Sequence, residues 1–181
     1  DGTKMFVVGN SSDSVYQYNL STAFDLSTAS YDNVSFSVSS QDSVPTGLTF
    51  NNDGTKMFVV GGSSDSVHQY SLSTAFDLNT ASYDNVSFDV SSEETNPEGL
   101  SFNSDGTKMF VVGSSSDSVY QYSLSTAFDL NTASYDNVSF SVSSEEGDPR
   151  GLTFNSDGTK MFVVGNSSDS VYQYNLSTAF D

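Results

Sequence analysis

Residues 53–60 read DGTKMFVV. Asp53-Gly54 stands between two β-favouring runs, Gly47–Phe50 before it and Thr55–Val60 after it, and Asp-Gly in that setting marks a tight hairpin. Glycine is wanted in such a turn because its backbone reaches φ > 0 without steric cost. In the second run the apolar side chains fall on both faces, Met57 and Val59 on one, Phe58 and Val60 on the other. A strand that is apolar on both faces is covered on both sides.

The same stretch starts at Asp1, Asp53, Asp105 and Asp157, a spacing of 52 residues each time. The chain is one unit written three times, over 1–52, 53–104 and 105–156, with a partial fourth over 157–181. A repeat of this length outranks any local motif as evidence for the fold. Working outward from the hairpin, each unit carries four β runs. In the second unit these are strand A at Gly47–Phe50, strand B at Thr55–Val60, strand C at Val67–Leu72 and strand D at Tyr83–Val90. Gly61–Ser66 is a small, polar B–C turn, Ser73–Ser82 connects C to D, and Ser91–Glu98 is a polar D–A loop. Strand D alternates cleanly, with Val86, Phe88 and Val90 on one face, as an outer, half-exposed strand does. No segment has a useful helical period.

Four antiparallel strands per unit, apolar in the middle and polar at the last, predict an all-β fold: a β-propeller with 52-residue, four-stranded blades. Each blade covers its faces by stacking on its neighbours, which explains strand B. A β-solenoid is the competing fold, but its coils are shorter and do not use tight Asp-Gly hairpins. The chain opens at strand B and closes after strand C, and residues 1–25 are identical to 157–181. This pattern predicts about three and a half blades in an open arc or partial ring, cut from a longer array. Self-association through the open blade edges is the corresponding expectation.

The run PxGLxFNxDGTKMFVVG followed by SDSVYQY and LSTAFDL resembles the DGTKM[FY]VV-type propeller repeats of marine bacterial surface proteins and phage-associated proteins. It is more distantly similar to the YVTN and NHL propellers. The resemblance covers the whole chain and implies the fold. It also implies an extracellular, cell-surface or virion location. It says little about activity, because one fold hosts enzymes, lectins and scaffolds.

Charge narrows the partners. Five basic residues face 23 acidic ones, for a formal net charge of -18. Nucleic acid is not expected as a partner, since phosphate binding needs a Lys/Arg patch. Membrane insertion is not expected either, since no apolar run approaches the ~20 residues of a spanning helix. The chain has no Cys, so neither a disulfide framework nor a thiolate metal site exists.

Comparison between units shows where a site would sit. Alternating strand direction puts the B–C and D–A loops on one rim and the A–B and C–D loops on the other. The A–B turn is invariant. The D–A loop changes most, reading QDSVPT over 41–46, EETNPE over 93–98 and EEGDPR over 145–150. The B–C loop varies at Asn10, Gly62, Ser114 and Asn166. The candidate ligand-binding residues are therefore Gln41, Asp42, Thr46, Glu93, Glu94, Glu98, Glu145, Glu146, Asp148 and Arg150, with those four B–C positions. A catalytic site is not expected. His68 is the only His, and its equivalents are Tyr16, Tyr120 and Tyr172. The serines lack a Ser-x-x-Lys or Gly-x-Ser-x-Gly setting. Asn103-Ser104-Asp105-Gly106 resembles the middle of a calcium loop, but the completing first Asp and distant Glu are missing, so no metal or cofactor is assigned and Ca2+ is the one ion considered. Tyr16, Tyr18 and their repeats are read as blade-packing residues, and Lys4, Lys56, Lys108 and Lys160 as partners of nearby carboxylates.

These observations lead to a non-enzymatic scaffold or adhesion module that presents the variable rim to a glycan or protein. Near-identical copies suit avidity. The alternatives are a propeller enzyme of lactonase or dehydrogenase type and a purely structural spacer.

Overall fold

In the computed structural model, which describes residues 1–181, every unit folds as an antiparallel meander. The first sheet holds β1 (Lys4–Gly9), β2 (Ser14–Leu20) and β3 (Ala29–Ser37). The second holds β4 (Pro45–Phe50), β5 (Lys56–Gly61), β6 (Ser66–Leu72) and β7 (Ala81–Asp89). The third holds β8 (Pro97–Phe102), β9 (Lys108–Gly113), β10 (Ser118–Leu124) and β11 (Ala133–Ser141). The fourth holds β12 (Pro149–Phe154), β13 (Lys160–Gly165) and β14 (Val171–Asn175). Two complete four-stranded blades are thus flanked by two three-stranded ones. Strands A and D begin earlier than their side-chain alternation suggests, at Pro45 and Ala81 in the second blade. Each C–D connector that leads into a strand D also holds one 3-10 turn, at Leu26–Thr28, Leu78–Thr80 and Leu130–Thr132, which is too short to show a helical period.

The Asp53-Gly54 hairpin forms for the reasons its sequence suggests. Gly54 sits at φ +72°, and the Asp53 carboxylate accepts from the Thr55 N–H at 2.9 Å and the Thr55 hydroxyl at 2.6 Å. The turn also receives the C–D connector. Phe76 N–H donates to the Gly54 carbonyl at 2.9 Å, and a Cβ on Gly54 would fall inside the Phe76 ring. Glycine is required here twice over, by backbone conformation and by close approach.

Strand B does carry two packing faces. Between the second and third blades, Phe58, Val60, Val67 and Val90 meet Leu100, Met109, Val111, Tyr122, Leu124 and Leu130 in one core. The equivalent residues one unit earlier form the core between the first and second blades, with Met57, Val59 and Tyr70 fully buried. The C-strand tyrosines pack blade on blade: the Phe36 and Tyr70 rings lie 5.5 Å apart edge to face, and Phe88 and Tyr122 lie 5.3 Å apart. Tyr70 and Tyr122 are fully buried, and burying an apolar side chain of that size contributes on the order of 1.5–3 kcal/mol.

Polar bonds add register to this apolar stack. Gln69 on β6 donates to Asp84 at 2.9 Å and accepts from the Leu130 N–H of the next blade at 3.0 Å. Asp84 lies where the β6–β7 register shifts, beside Asn85 at φ 58°. The lysines differ from their expected role. Lys4 lies 3.6 Å from Asp32, but Lys56 donates to the Phe128 carbonyl at 2.8 Å and Lys108 to the Phe180 carbonyl at 3.0 Å, both in the following blade. Only Lys108 adds a carboxylate there, Asp181 at 3.2 Å.

Candidate functional site at the loop rim

The two rims are set by the strands. β5 runs from Lys56 at one rim to Gly61 at the other, and six residues at ~3.3 Å per step separate the rims by about 17 Å. The A–B turns and C–D connectors occupy the lysine rim. The D–A loops and B–C turns meet at the opposite rim, where the candidate residues lie.

Four of those candidates sit beneath the surface, and three of them share one arrangement. Asp42, Glu94 and Glu146 are buried. Each carboxylate faces the Ser-Ser pair of the B–C turn in the blade that follows it. Asp42 accepts from the Ser63 and Ser64 hydroxyls, both at 2.6 Å, and from the Ser64 N–H at 3.0 Å. Glu94 does the same with Ser115 and Ser116, and Glu146 with Ser167 and Ser168. These acids clamp the D–A loop to the B–C turn, and their lone pairs are spent inside the protein. The last residue of strand B explains itself through them. A Cβ on Gly61, Gly113 or Gly165 would collide with Asp42, Glu94 or Glu146 respectively, whereas Gly9, with no such loop beside it, has nothing within 4 Å. The hydroxyls of Ser167 and Ser168 hold the Glu146 carboxyl down to about 2. Burial pushes the Asp42 carboxyl up, but its bonds from Ser63, Ser64 and Val44 outweigh this and leave it below the usual range.

Thr46, Glu98 and Arg150 are repeat equivalents, one per blade, on β4, β8 and β12. These A strands approach backbone to backbone. A Cβ on Gly47 would lie 2.9 Å from the Glu98 carbonyl and one on Gly99 would lie 3.0 Å from the Arg150 carbonyl, so they form the inner ring of the arc. Thr46 donates its hydroxyl to the Pro97 carbonyl at 2.8 Å. Arg150 Nη1 donates to Glu98 Oε1 across the blade boundary at 2.5 Å. Its Nε and Nη2 reach Asp148 Oδ1 and Oδ2 at 2.9 and 3.0 Å, a bidentate fork. Asn96 bridges Glu98 at 3.1 Å to Ser114 at 2.5 Å, and Asn166 donates to Asp148 at 3.0 Å. The result is one polar network, Ser114–Asn96–Glu98–Arg150–Asp148–Asn166, spanning two blades at the mouth of the inner ring. Arg150 draws the Asp148 carboxyl below its usual range, and Asp148 and Glu98 push the guanidinium further up. Glu98 is almost wholly buried, while the Arg150 side chain remains 47% exposed.

The other candidates are spread along the same rim. Gln41, Glu93 and Glu145 each accept a tyrosine hydroxyl, from Tyr70 at 3.5 Å, Tyr122 at 3.5 Å and Tyr174 at 3.3 Å. Gly62 donates its N–H to the Val44 carbonyl at 3.0 Å, and Asn10 is exposed in the first B–C turn. His68 packs its ring 6.0 Å from Tyr83, as Tyr120 does against Tyr135. Its Nε2 lies 2.9 Å from the Ser64 hydroxyl, which donates to Asp42. Nε2 must then be the donor, which leaves Nδ1 buried and unpartnered. The carboxylate holds the serine rather than the imidazole, so the serine proton points away from the base and no nucleophile is activated. Burial lowers the His68 pKa. The calcium-like stretch is a turn device, with Asp105 accepting from the Thr107 N–H at 3.0 Å.

Asn96 and the acid clamps escape a reading of the sequence alone. The signal for the clamps is that position 42, 94 and 146 stays acidic while its neighbours change. The signal for the ion pair is opposite charge at Glu98 and Arg150, 52 residues apart at one repeat position. An apolar recess of about 250 Å3 lies elsewhere, lined by Phe110, Val119, Gln121, Phe140, Tyr174 and Leu176. Its Gln121, Val119 and Phe140 are repeat equivalents of residues that enclose Leu130 one blade earlier, so it matches a blade contact and carries no chemistry.

The family model for lactonases with a seven-bladed β-propeller matches residues 1–179. A candidate 6-phosphogluconolactonase from Bacteroides uniformis aligns with TM-score 0.66 at 12% identity, covering 98% of this chain and 51% of its own. A protein of unknown function from Desulfotomaculum acetoxidans aligns with TM-score 0.64 at 19% identity, covering 98% and 52%. The periplasmic gluconolactonase of Pseudomonas aeruginosa aligns with TM-score 0.59 at 16% identity, covering 97% and 47%. At such identities these structures establish the fold, and the chain spans about half the length of each. No curated protein sequence matches. The family match overturns the expectation of a non-enzymatic scaffold or adhesion module and favours the lactonase alternative. Comparing the units marks Thr46, Glu98 and Arg150 as variable, but the near-identity of the blades elsewhere gives no sign that residues of different blades act together.

Proposed function

The chain belongs to the family of lactonases with a seven-bladed β-propeller, and from that premise we propose that its loop rim carries part of a lactone-hydrolysing site built on Glu98 and Arg150. The observation that carries this reading is their ion pair, which joins two inner strands at the mouth of the ring. Within the family, we read the DGTKM[FY]VV repeat as the chain's own subtype.

The chemistry follows from the groups present. Arg150 keeps two N–H donors beyond the three engaged with Glu98 and Asp148, on a side chain that is 47% exposed. A lactone carbonyl oxygen placed on them is polarised, and the negative charge that develops there on attack is stabilised. Glu98 is the base. It takes a proton from a water molecule as that water adds to the acyl carbon. The ring C–O bond then breaks, and the proton passes from Glu98 to the departing alkoxide, giving the open hydroxy acid. Asp148 holds the guanidinium plane in place, and Asn96 and Asn166 hold the two carboxylates.

The test is base uptake in a pH-stat with glucono-δ-lactone, above the spontaneous rate. Glu98→Gln should cut kcat by ~10²–10⁴-fold, as loss of a general base does. Arg150→Gln should cut it by ~10²–10³-fold, as loss of an oxyanion donor does. Turnover in Glu98→Gln equal to that of the parent chain would refute the assignment.

A further inference from the structure

We infer that the rim site takes an uncharged, hydroxyl-rich lactone and discriminates against a phosphorylated one; this rests on the lactone-hydrolysing reading above. Charge is placed unevenly over the two rims. The chain has five basic residues in all, four lysines and Arg150. All four lysines open strand B at the rim opposite the site, and Lys56 and Lys108 are held there by carbonyls of the next blade. At about 17 Å from the site rim, they lie beyond the ~8 Å over which charge acts in physiological salt.

Arg150 is therefore the one cation that this chain's residues place on the site rim, and it is already neutralised by both Glu98 and Asp148. The local sum is one positive charge against two negative. Buried Glu94 and Glu146 accept from the Asn96 and Asp148 N–H groups of the network, and Glu93 and Glu145 belong to the same loops. His68 on this rim is buried with no carboxylate against its ring nitrogens, so it supplies no cation. A phosphomonoester bears roughly -1.5 to -2 charges near neutral pH and seeks Arg or Lys forks. Here it meets none that is free. The groups that remain suit sugar hydroxyls: the Asn96 and Asn166 amides, the Ser114 hydroxyl and the two spare Arg150 N–H groups.

The experiment compares kcat/KM for glucono-δ-lactone and 6-phosphoglucono-δ-lactone, using the full chain at low and high NaCl. The neutral lactone should be preferred by at least ~10-fold at low salt. Its kcat/KM should not depend on salt, while that of the phosphorylated lactone should rise severalfold as repulsion is screened. Thr95→Lys, which adds a cation to an exposed D–A loop position outside the network, should raise only the phosphorylated rate. Equal or better turnover of the phosphorylated lactone at low salt would overturn the inference and leave the lactonase reading standing. Failure of both lactones to turn over would instead defeat the reading beneath it. Inorganic phosphate gives an independent check. Up to ~10 mM it should leave Tm unchanged, whereas a saturating rise that Arg150→Gln abolishes would overturn the inference whatever the turnover.

Discussion

Glu94→Gln isolates the clamp that holds the site rim together. Glu94 is fully buried and accepts five bonds. Oε1 takes the Asn96 N–H at 2.8 Å, the Ser115 N–H at 3.1 Å and the Ser115 hydroxyl. Oε2 takes the Ser116 N–H at 3.2 Å and the Ser116 hydroxyl at 2.6 Å. Glutamine can place its carbonyl on one side only. The side with three donors wins, which points the NH2 at the Ser116 N–H. The Ser116 hydroxyl can rotate to accept, but the backbone N–H cannot, and a buried donor without a partner costs ~1–3 kcal/mol. The three remaining bonds also lose their charge assistance and about half their strength. The sum is a loss of ~2–4 kcal/mol, or a fall in Tm of roughly 5–15 °C for a chain of this size. Circular dichroism melts of Glu94→Gln beside Glu93→Gln, whose side chain meets only a long tyrosine bond, measure this directly. A Tm for Glu94→Gln within ~2 °C of the Glu93→Gln value would refute the reasoning.

Other predictions use the repeat as its own control. Gly113→Ala forces a Cβ into the Glu94 side chain and should cost ~1–3 kcal/mol or more, whereas Gly9→Ala meets open space and should change stability by less than ~0.5 kcal/mol in urea melts. Leu130→Ala should cost ~2–5 kcal/mol because Leu130 is 1% exposed, while Leu26→Ala at the equivalent but 70% exposed position should cost almost nothing. The clamps also set an acid limit. Glu146 and Asp42 have folded pKa values below their unfolded ones, so their stabilisation is complete above ~pH 4.3 and is lost as pH falls, for Glu146 through about 2. Tm measured from pH 6 to 2 should be flat and then drop below ~pH 4, and Glu146→Gln should flatten part of that drop.

The fold was legible because its determinants are local and repeated. Asp-Gly turns, a strand B apolar on both faces and a strand D apolar on one leave few alternatives to a blade. The site was legible only as a rim. Asp42, Glu94 and Glu146 look like ligand residues in a variable loop, because nothing in the sequence says that a carboxylate will turn inward to meet two serines some 21 residues later. Gly61, Gly113 and Gly165 read as turn residues for the same reason, although what they provide is room for those acids. The Glu98–Arg150 pair spans 52 residues, and it becomes visible only when equivalent positions of neighbouring blades are set side by side.

That pair carries the central claim, that side chains from two blades act as one hydrolytic unit. A double-mutant cycle on kcat/KM for glucono-δ-lactone tests it, using Glu98→Gln, Arg150→Gln and the double variant. Residues that act as a unit are strongly non-additive. If the two side chains act together, the double variant is little slower than the worse single one. Losses that simply multiply, or single variants with undiminished turnover, would contradict it.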